Sequence, residues 1–247
     1  MAVQRIGVQL YSLRDLAARD LPAVIEKVAR IGYEGVEFAG LHEQQPARLR
    51  RVVDGLGLTT IGAHVGLADL ENRRDETLAD LVELGCDRAI IAWLPHELYA
   101  DEPTARRTVE RLVVAGDAVR AAGLGYAYHN HAFEFERVGQ TTLWSLLLET
   151  PAADIPLEID VYWVRNAGLE PAPVIREAGS RVDLLHVKDT AADGSDCAVG
   201  HGVEPWPEVL TASRSSGVEW LIVEQEQSID MLADIESSLV NLRRLIG

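Results

Sequence analysis

Short apolar runs rich in β-branched residues recur at Ile6–Leu10, Gly35–Phe38, Thr59–Ala63, Ala89–Trp93, Gly125–His129, Ile155–Asp160, Val182–Val187 and Trp220–Val223. Successive runs start roughly 25–40 residues apart, which is the room one strand, one helix and two short loops require. Between them, apolar residues return at spacings of three and four. That period predicts helices over Leu21–Ile31, Ala47–Leu56, Glu76–Leu84, Thr104–Ala122, Thr142–Glu149, Pro171–Ala178, Pro207–Ser213 and Ile229–Leu245. Asp20 is placed to cap the first of these, with Pro22 in its first turn and Gly32 at its end, and Gly85 and Gly123 stop two others. Strands and helices in strict alternation imply a parallel sheet. At 247 residues, with no linker or low-complexity stretch, the expected architecture is α/β, a single (β/α)8 barrel forming one domain over residues 1–247. An open doubly wound sheet is the weaker alternative, because no glycine-rich phosphate turn follows the first strand.

The polar positions sharpen this picture. Four runs in the second half end in polar residues two apart: His129/His131 in YAYHNH, Glu158/Asp160 in PLEID, His186/Lys188 in LLHVKD and Glu224/Glu226 in LIVEQE. Residues i and i+2 of a strand share a face, so each pair projects together from the carboxyl end of its strand. A barrel builds its active site from that end.

Net charge narrows the function. Acidic residues outnumber basic ones 39 to 23, giving −16, which argues against a nucleic-acid partner and fits a small neutral substrate or a bound cation. Among the 23 basic residues only Lys27 and Lys188 are lysines, so a lysine inside HVKD points to a chemical need that arginine does not meet. Cys86 and Cys197 match no metal-ligand spacing and imply no disulfide framework. No apolar run approaches the ~18–20 residues that span a bilayer, and the first residues, MAVQRIGVQLYSLRD, run straight into a strand; both lead us to expect a cytoplasmic protein without a membrane partner. A homo-oligomer is compatible with the sequence.

A hard or borderline divalent cation such as Mn²⁺, Mg²⁺ or Co²⁺ takes carboxylate oxygens together with imidazole. Asp160, His186 and Glu224 close three neighbouring strands, and burying acids there unpaired would cost on the order of several kcal/mol each, which a cation offsets. The fifth strand offers His129, His131 and Glu134 as a fourth ligand, and a carboxylate-rich set favours Glu134. Lys188 shares a face with His186 and can bind a substrate oxygen or act as a base. Glu158, one pleat below Asp160, is expected to be buried against a cation or histidine. Asp189 orients the loop after HVK, and Glu226 lies outside the ligand set. Glu37 and His64 end earlier strands and are candidates for substrate binding, as are His129 and His131. Trp93 and Trp163 stand where indoles wall a sugar pocket.

At these residues the chain resembles the sugar phosphate isomerase/epimerase group of the xylose isomerase-like TIM-barrel superfamily. The matching stretches are GVQLYSLR, GYEGVEFAG, GAHVGL, YHNHAFEFE, LEIDVYWVRNAG, LLHVKD, VGHGVEPWPEVL and VEWLIVEQE, in order from residue 7 to 226. The resemblance implies one divalent metal ion, Mn²⁺ first and Mg²⁺, Co²⁺ or Zn²⁺ also compatible, held by Glu134, Asp160, His186 and Glu224. It implies proton transfer beside a carbonyl through a metal-stabilised enediolate, with Glu224 and Glu134 as acid/base groups and Lys188 assisting. The expected substrate is a small carbohydrate. The outcome is isomerisation or epimerisation of a sugar or keto-sugar, or alternatively elimination by a lyase or dehydratase acting on a 3-keto-glycoside or an inosose. The sequence departs from the usual pattern at the end of strand five, where His129 and Asn130 stand in place of a glutamate.

Overall fold

The computed structural model describes residues 4–247. Its strands β1 (Arg5–Gln9), β2 (Gly35–Phe38), β3 (Thr59–Val65), β4 (Arg88–Ile91), β5 (Gly125–His129), β6 (Leu157–Asp160), β7 (Val182–Val187) and β8 (Trp220–Val223) pair in sequence order, all parallel. The last returns to the first, with Arg5 opposite Trp220 and Val8 opposite Val223, and closes the barrel.

Helices run on the outside: α1 (Arg14–Ile31), α2 (Pro46–Gly55), α3 (Leu67–Asn72), α4 (Arg74–Leu84), α5 (Glu102–Ala121), α6 (Leu143–Glu149), α7 (Val161–Asn166), α8 (Pro171–Ala178), α9 (Trp206–Ser216) and α10 (Met231–Ile246). Among the described residues no helix is long and apolar enough to cross a membrane.

The period of two along each strand sorts its residues into two cores. Outward-facing Val8, Val36, Phe38, Tyr128, Leu157, Leu185 and Val223 pack against the helices. Ile61, Ile90, Ala127, Leu184, Trp220 and Ile222 face each other inside and fill the barrel below its mouth. The interior is tight where Ile61 crosses β2: a Cβ on Gly35 would lie 2.8 Å from Ile61 Cγ1 and 2.9 Å from the Thr59 carbonyl oxygen, so only glycine fits.

Differences from the sequence reading fall in short or interrupted segments. The first helix starts at Arg14 rather than Leu21. Asp20 leaves helical geometry inside it (φ −158°, ψ 84°), and its carboxylate accepts from the Ala23 amide at 3.1 Å, so the expected cap exists within a kinked longer helix. The six-residue helices α3 and α7 were not expected, nor were the two-residue hairpins pairing Arg137–Val138 with Thr141–Thr142 and Asp189–Thr190 with Asp196–Cys197. Elements this short carry no readable period.

Candidate active site

Above the apolar plug the inward positions turn polar, and they do so on strands from around the whole barrel. Gln9 on β1, Glu37 on β2, Glu158 on β6 and His186 on β7 are all fully buried there, with His129 on β5 nearly so and His64 on β3 partly open to the mouth. His64 Nε2 lies 2.9 Å from Glu37 Oε1 and 3.2 Å from Glu158 Oε2. His186 Nε2 reaches the same two carboxylates at 2.9 and 3.3 Å. His129 Nδ1 is 3.1 Å from Glu158 Oε2, and the Gln9 amide donates to Glu37 Oε1 at 2.6 Å. Two carboxylates are thus interleaved with three imidazoles. Burial alone would raise the carboxyls and lower the imidazoles, but mutual attraction wins for most of them. Glu37 is held well below the usual carboxylate range by His64 and His186, and Glu158 sits near 2. His64 rises to about 9 and His186 well above its ordinary value. His129 goes the other way, because burial outweighs its single carboxylate contact.

One layer higher, the side chains turn toward the open end. His186 Nδ1 lies 2.6 Å from Glu224 Oε2 and 3.9 Å from Asp160 Oδ2. Asp160 is fixed by the start of α7, since its Oδ1 accepts from the amides of Tyr162 at 2.8 Å and Trp163 at 3.2 Å. Its own amide donates to Asn130 Oδ1 at 3.1 Å, so the loop after β5 braces the end of β6. Lys188 is fully buried and threads between the acids, 2.7 Å from Glu226 Oε1, 3.3 Å from Asp160 Oδ2 and 3.7 Å from Glu224 Oε2. Its ammonium also sits 5.2 and 5.3 Å from the rings of Tyr162 and Trp163. Burial would neutralise the lysine, but the three carboxylates raise it above its ordinary value. Asp160 is raised by burial to about 6 despite Lys188, whereas Lys188 and His186 overcome burial at Glu224 and hold it low.

His129, Asp160, His186 and Glu224 each offer a ligand atom, and these atoms lie within 4.8 Å of one another. The set suits a divalent cation: two imidazoles, two carboxylates, and a buried Asp160 Oδ2 that accepts no hydrogen bond among the described residues and has the Lys188 ammonium, at 3.3 Å, against it. His64, His129, Glu158 and His186 form a second group at the same spacing, one layer down. That group has one carboxylate to the upper group's two, so the upper group is the better-prepared site for a hard or borderline divalent cation.

Of the residues picked from the sequence, Asp160, His186, Glu224, Lys188 and His129 come together. Glu134 does not join them. A single turn at Phe133–Phe135 folds its carboxylate back to accept from the Tyr128 hydroxyl at 2.7 Å and the His131 amide at 2.8 Å. Burial there pushes its carboxyl up to about 8. The folded state then keeps a proton that the unfolded chain releases near pH ~4.3, so this group removes stability as pH rises from that range to about 8. Glu134→Gln is expected to flatten the fall in stability between pH 5 and pH 8 in urea titrations; an equally steep fall in the variant would refute this placement.

Glu37 and Glu158 lie under the site and touch its histidines, and Glu226 is the nearest partner of Lys188. His64 bridges the two buried carboxylates and retains some exposure at the mouth. His131 stands at the mouth against Trp163, with ring centroids 5.1 Å apart, and burial lowers it to about 4. Trp93 is 59% exposed on the loop after β4 and has no ring contact with the group. Asp189 anchors the loop after β7 by accepting from the amides of Thr190, Gly200 and Glu204 and from Trp206 Nε1, at 2.8–3.0 Å. Two residues to which the sequence assigns no role also support the site: Gln9, and Asn130, known from sequence only as a departure from the usual glutamate. Gln9 ends β1 in the same inward register as Glu37, which a period-of-two reading of GVQL could have found.

Residues 25–245 match the family described as Xylose isomerase-like TIM barrel. Among solved structures, a sugar phosphate isomerase/epimerase from Parabacteroides distasonis ATCC 8503 is similar with a TM-score of 0.88 at 23% identity, over 99% of this chain and 100% of that one. A D-psicose 3-epimerase, solved in the presence of D-fructose, gives 0.77 at 18% identity over 99% and 100%. At these identities the likeness concerns the fold. In sequence, the inosose dehydratase of Geobacillus kaustophilus (strain HTA426) is 23% identical over 192 residues, 69% of this chain; the match spans 62% of that enzyme's length.

Proposed function

The chain belongs to the xylose isomerase-like TIM barrel family, and on that premise we propose that it is a divalent-metal-dependent enzyme that moves a proton on the carbon beside a carbonyl of a sugar or keto-sugar, giving an isomer or epimer. The observation that carries the reading is the convergence of His129, Asp160, His186 and Glu224 on one point at the mouth of the barrel. These four would hold the cation, Mn²⁺ being the metal we favour, with His129 in the place expected of Glu134. When bound there, a divalent cation supplies Lewis-acid stabilisation of negative charge on substrate oxygens.

The chain's own groups do the rest. Glu224, at the end of β8 and only 7% exposed, is the carboxylate that takes and returns the proton. Lys188, kept charged by its acid neighbours, donates to a substrate oxygen rather than acting as a base. His131, Tyr162 and Trp163 form the wall against which the sugar rests and limit water at the reacting carbon.

A second reading is elimination, as by a dehydratase or a lyase acting on a 3-keto-glycoside. It is favoured by the engagement of Glu134 with Tyr128 and His131, which leaves Glu224 without an acid of that origin on the opposite face of the substrate. Likeness to an inosose dehydratase points the same way.

Two measurements test the proposal. Mn²⁺-loaded protein in D₂O is expected to place deuterium beside the carbonyl of at least one member of a panel of ketoses and keto-sugars, read by NMR. An epimer or isomer supports the first reading, a dehydrated or cleaved product the second, and no incorporation anywhere overturns both. For the ligand assignment, His129→Ala is expected to weaken Mn²⁺ binding by about tenfold or more and Glu134→Gln far less, measured by calorimetry; the reverse order would restore Glu134 as ligand.

A further inference from the structure

Beside the mouth, between the loops after β1 and β8 and the hairpin after β7, lies a cavity of about 910 Å³. Its edge is Glu226. The carboxylate of that residue contacts the Lys188 ammonium at 2.7 Å, and the ammonium in turn lies 3.3 Å from Asp160, so one side chain separates the cavity from the cation-binding group. The volume is near the upper end of the ~300–1,000 Å³ range of pockets that bury drug-sized ligands, and exceeds what a single sugar ring fills.

The lining has a consistent chemistry. Among the described residues Arg14 is the only cationic one lining the cavity, and it is already engaged: its guanidinium donates to the carbonyl oxygens of Glu226 at 2.8 Å and Tyr11 at 3.2 Å and lies 4.6 Å from the Tyr11 ring. Against it stand four carboxylates, Asp15, Asp196, Glu226 and Asp234. A phosphate wants free, charged donors and would meet repulsion here. Ile229, fully exposed at the rim, gives the cavity an apolar side, and Ser195 and Ser228 give it hydroxyls whose protons are donated to Asp193 and Asp234, which leaves their oxygens as acceptors for sugar hydroxyls.

We propose that this cavity is the second half of the substrate site, and that the substrate is an unphosphorylated glycoside whose reacting sugar sits at the mouth while a second ring occupies the cavity beyond Glu226. The proposal rests on the reading of the mouth as a site of sugar chemistry and adds to it the size and charge of the substrate. A ring pair suits the position: its C–H face meets Ile229, and its hydroxyls meet the serines and the carboxylates.

The test is binding, measured by calorimetry on Mn²⁺-loaded protein. The probes are glucose, glucose 6-phosphate and a panel of glucose and galactose disaccharides covering the 1→2, 1→3, 1→4 and 1→6 linkages. At least one disaccharide is expected to bind tenfold or more tighter than glucose, with glucose 6-phosphate weaker than that disaccharide. Ser228→Trp, which fills the cavity from its wall, is expected to bring the disaccharide-to-glucose ratio to about one; Ser195→Trp serves the same purpose if the first variant does not fold. The proposal is overturned if no disaccharide exceeds glucose tenfold, if glucose 6-phosphate binds tightest, or if the ratio survives a folded filling variant. Deuterium exchange on the ketose panel in the same preparations separates the two failures. Exchange without disaccharide preference removes only the second-ring site, whereas absence of exchange removes the reading beneath it.

Discussion

Glu224→Gln is expected to lower the rate of proton exchange next to the substrate carbonyl by about 10³-fold, within the ~10²–10⁴ range typical of a positioned acid/base group. The amide keeps the shape of the side chain, so packing at this nearly buried position changes little. What it loses is the charge that faces His186 Nδ1 at 2.6 Å and Lys188 at 3.7 Å, and with it the ability to take a proton. Because Glu224 is also one of the four proposed cation ligands, exchange must be measured at saturating Mn²⁺, with the affinity of the variant determined separately by calorimetry. If the slow exchange reflected weak metal binding alone, more Mn²⁺ would restore it. Wild-type exchange in the saturated variant would remove Glu224 as the proton-transfer group.

Lys188→Met is expected to be the most destabilising single change in the site, costing about 3–5 kcal/mol in metal-free protein near pH 8. Methionine fills the same volume, but Asp160, Glu224 and Glu226 then face one another without the ammonium now 2.7–3.7 Å away. The loss has a predictable pH dependence. Burial already raises the Asp160 carboxyl above its ordinary value despite Lys188, and removing Lys188 raises it further. A folded state that holds a proton the unfolded chain gives up loses stability as pH rises. The deficit of the variant is therefore smaller at pH 5 than at pH 8. Divalent metal, binding only the folded form, recovers part of it by mass action. Urea denaturation at both pH values, with EDTA and with Mn²⁺, measures all three effects. A loss below about 1 kcal/mol under every condition would mean that the acids do not depend on the lysine for their burial.

Most of the frame was legible in the chain because buried parallel strands and amphipathic helices write different periods. β2, β5, β7 and β8 begin and end where the apolar runs do, and the polar pairs that close the later strands point inward as their spacing requires. Two things were not legible. One was the partnership of Glu37 and His64 with Glu158 and His186, which joins strands on opposite sides of the barrel; no local pattern encodes a contact across 149 residues. The other was the fate of Glu134. It follows its strand by five residues, in a stretch without a period, and a turn of three residues decides whether it meets the cation group or Tyr128. His129 was marked for the site by its register, but the proposal that it takes the place of Glu134 among the ligands follows only once Glu134 is seen to face elsewhere.

Asp160 carries two duties on one short side chain, anchoring the first turn of α7 with one oxygen and offering the other to the cation group. A glutamate would carry both oxygens one methylene further and could not serve both ends from the same backbone position. A redesign of the rim would therefore have to keep aspartate here and arrange any new chemistry around its fixed reach.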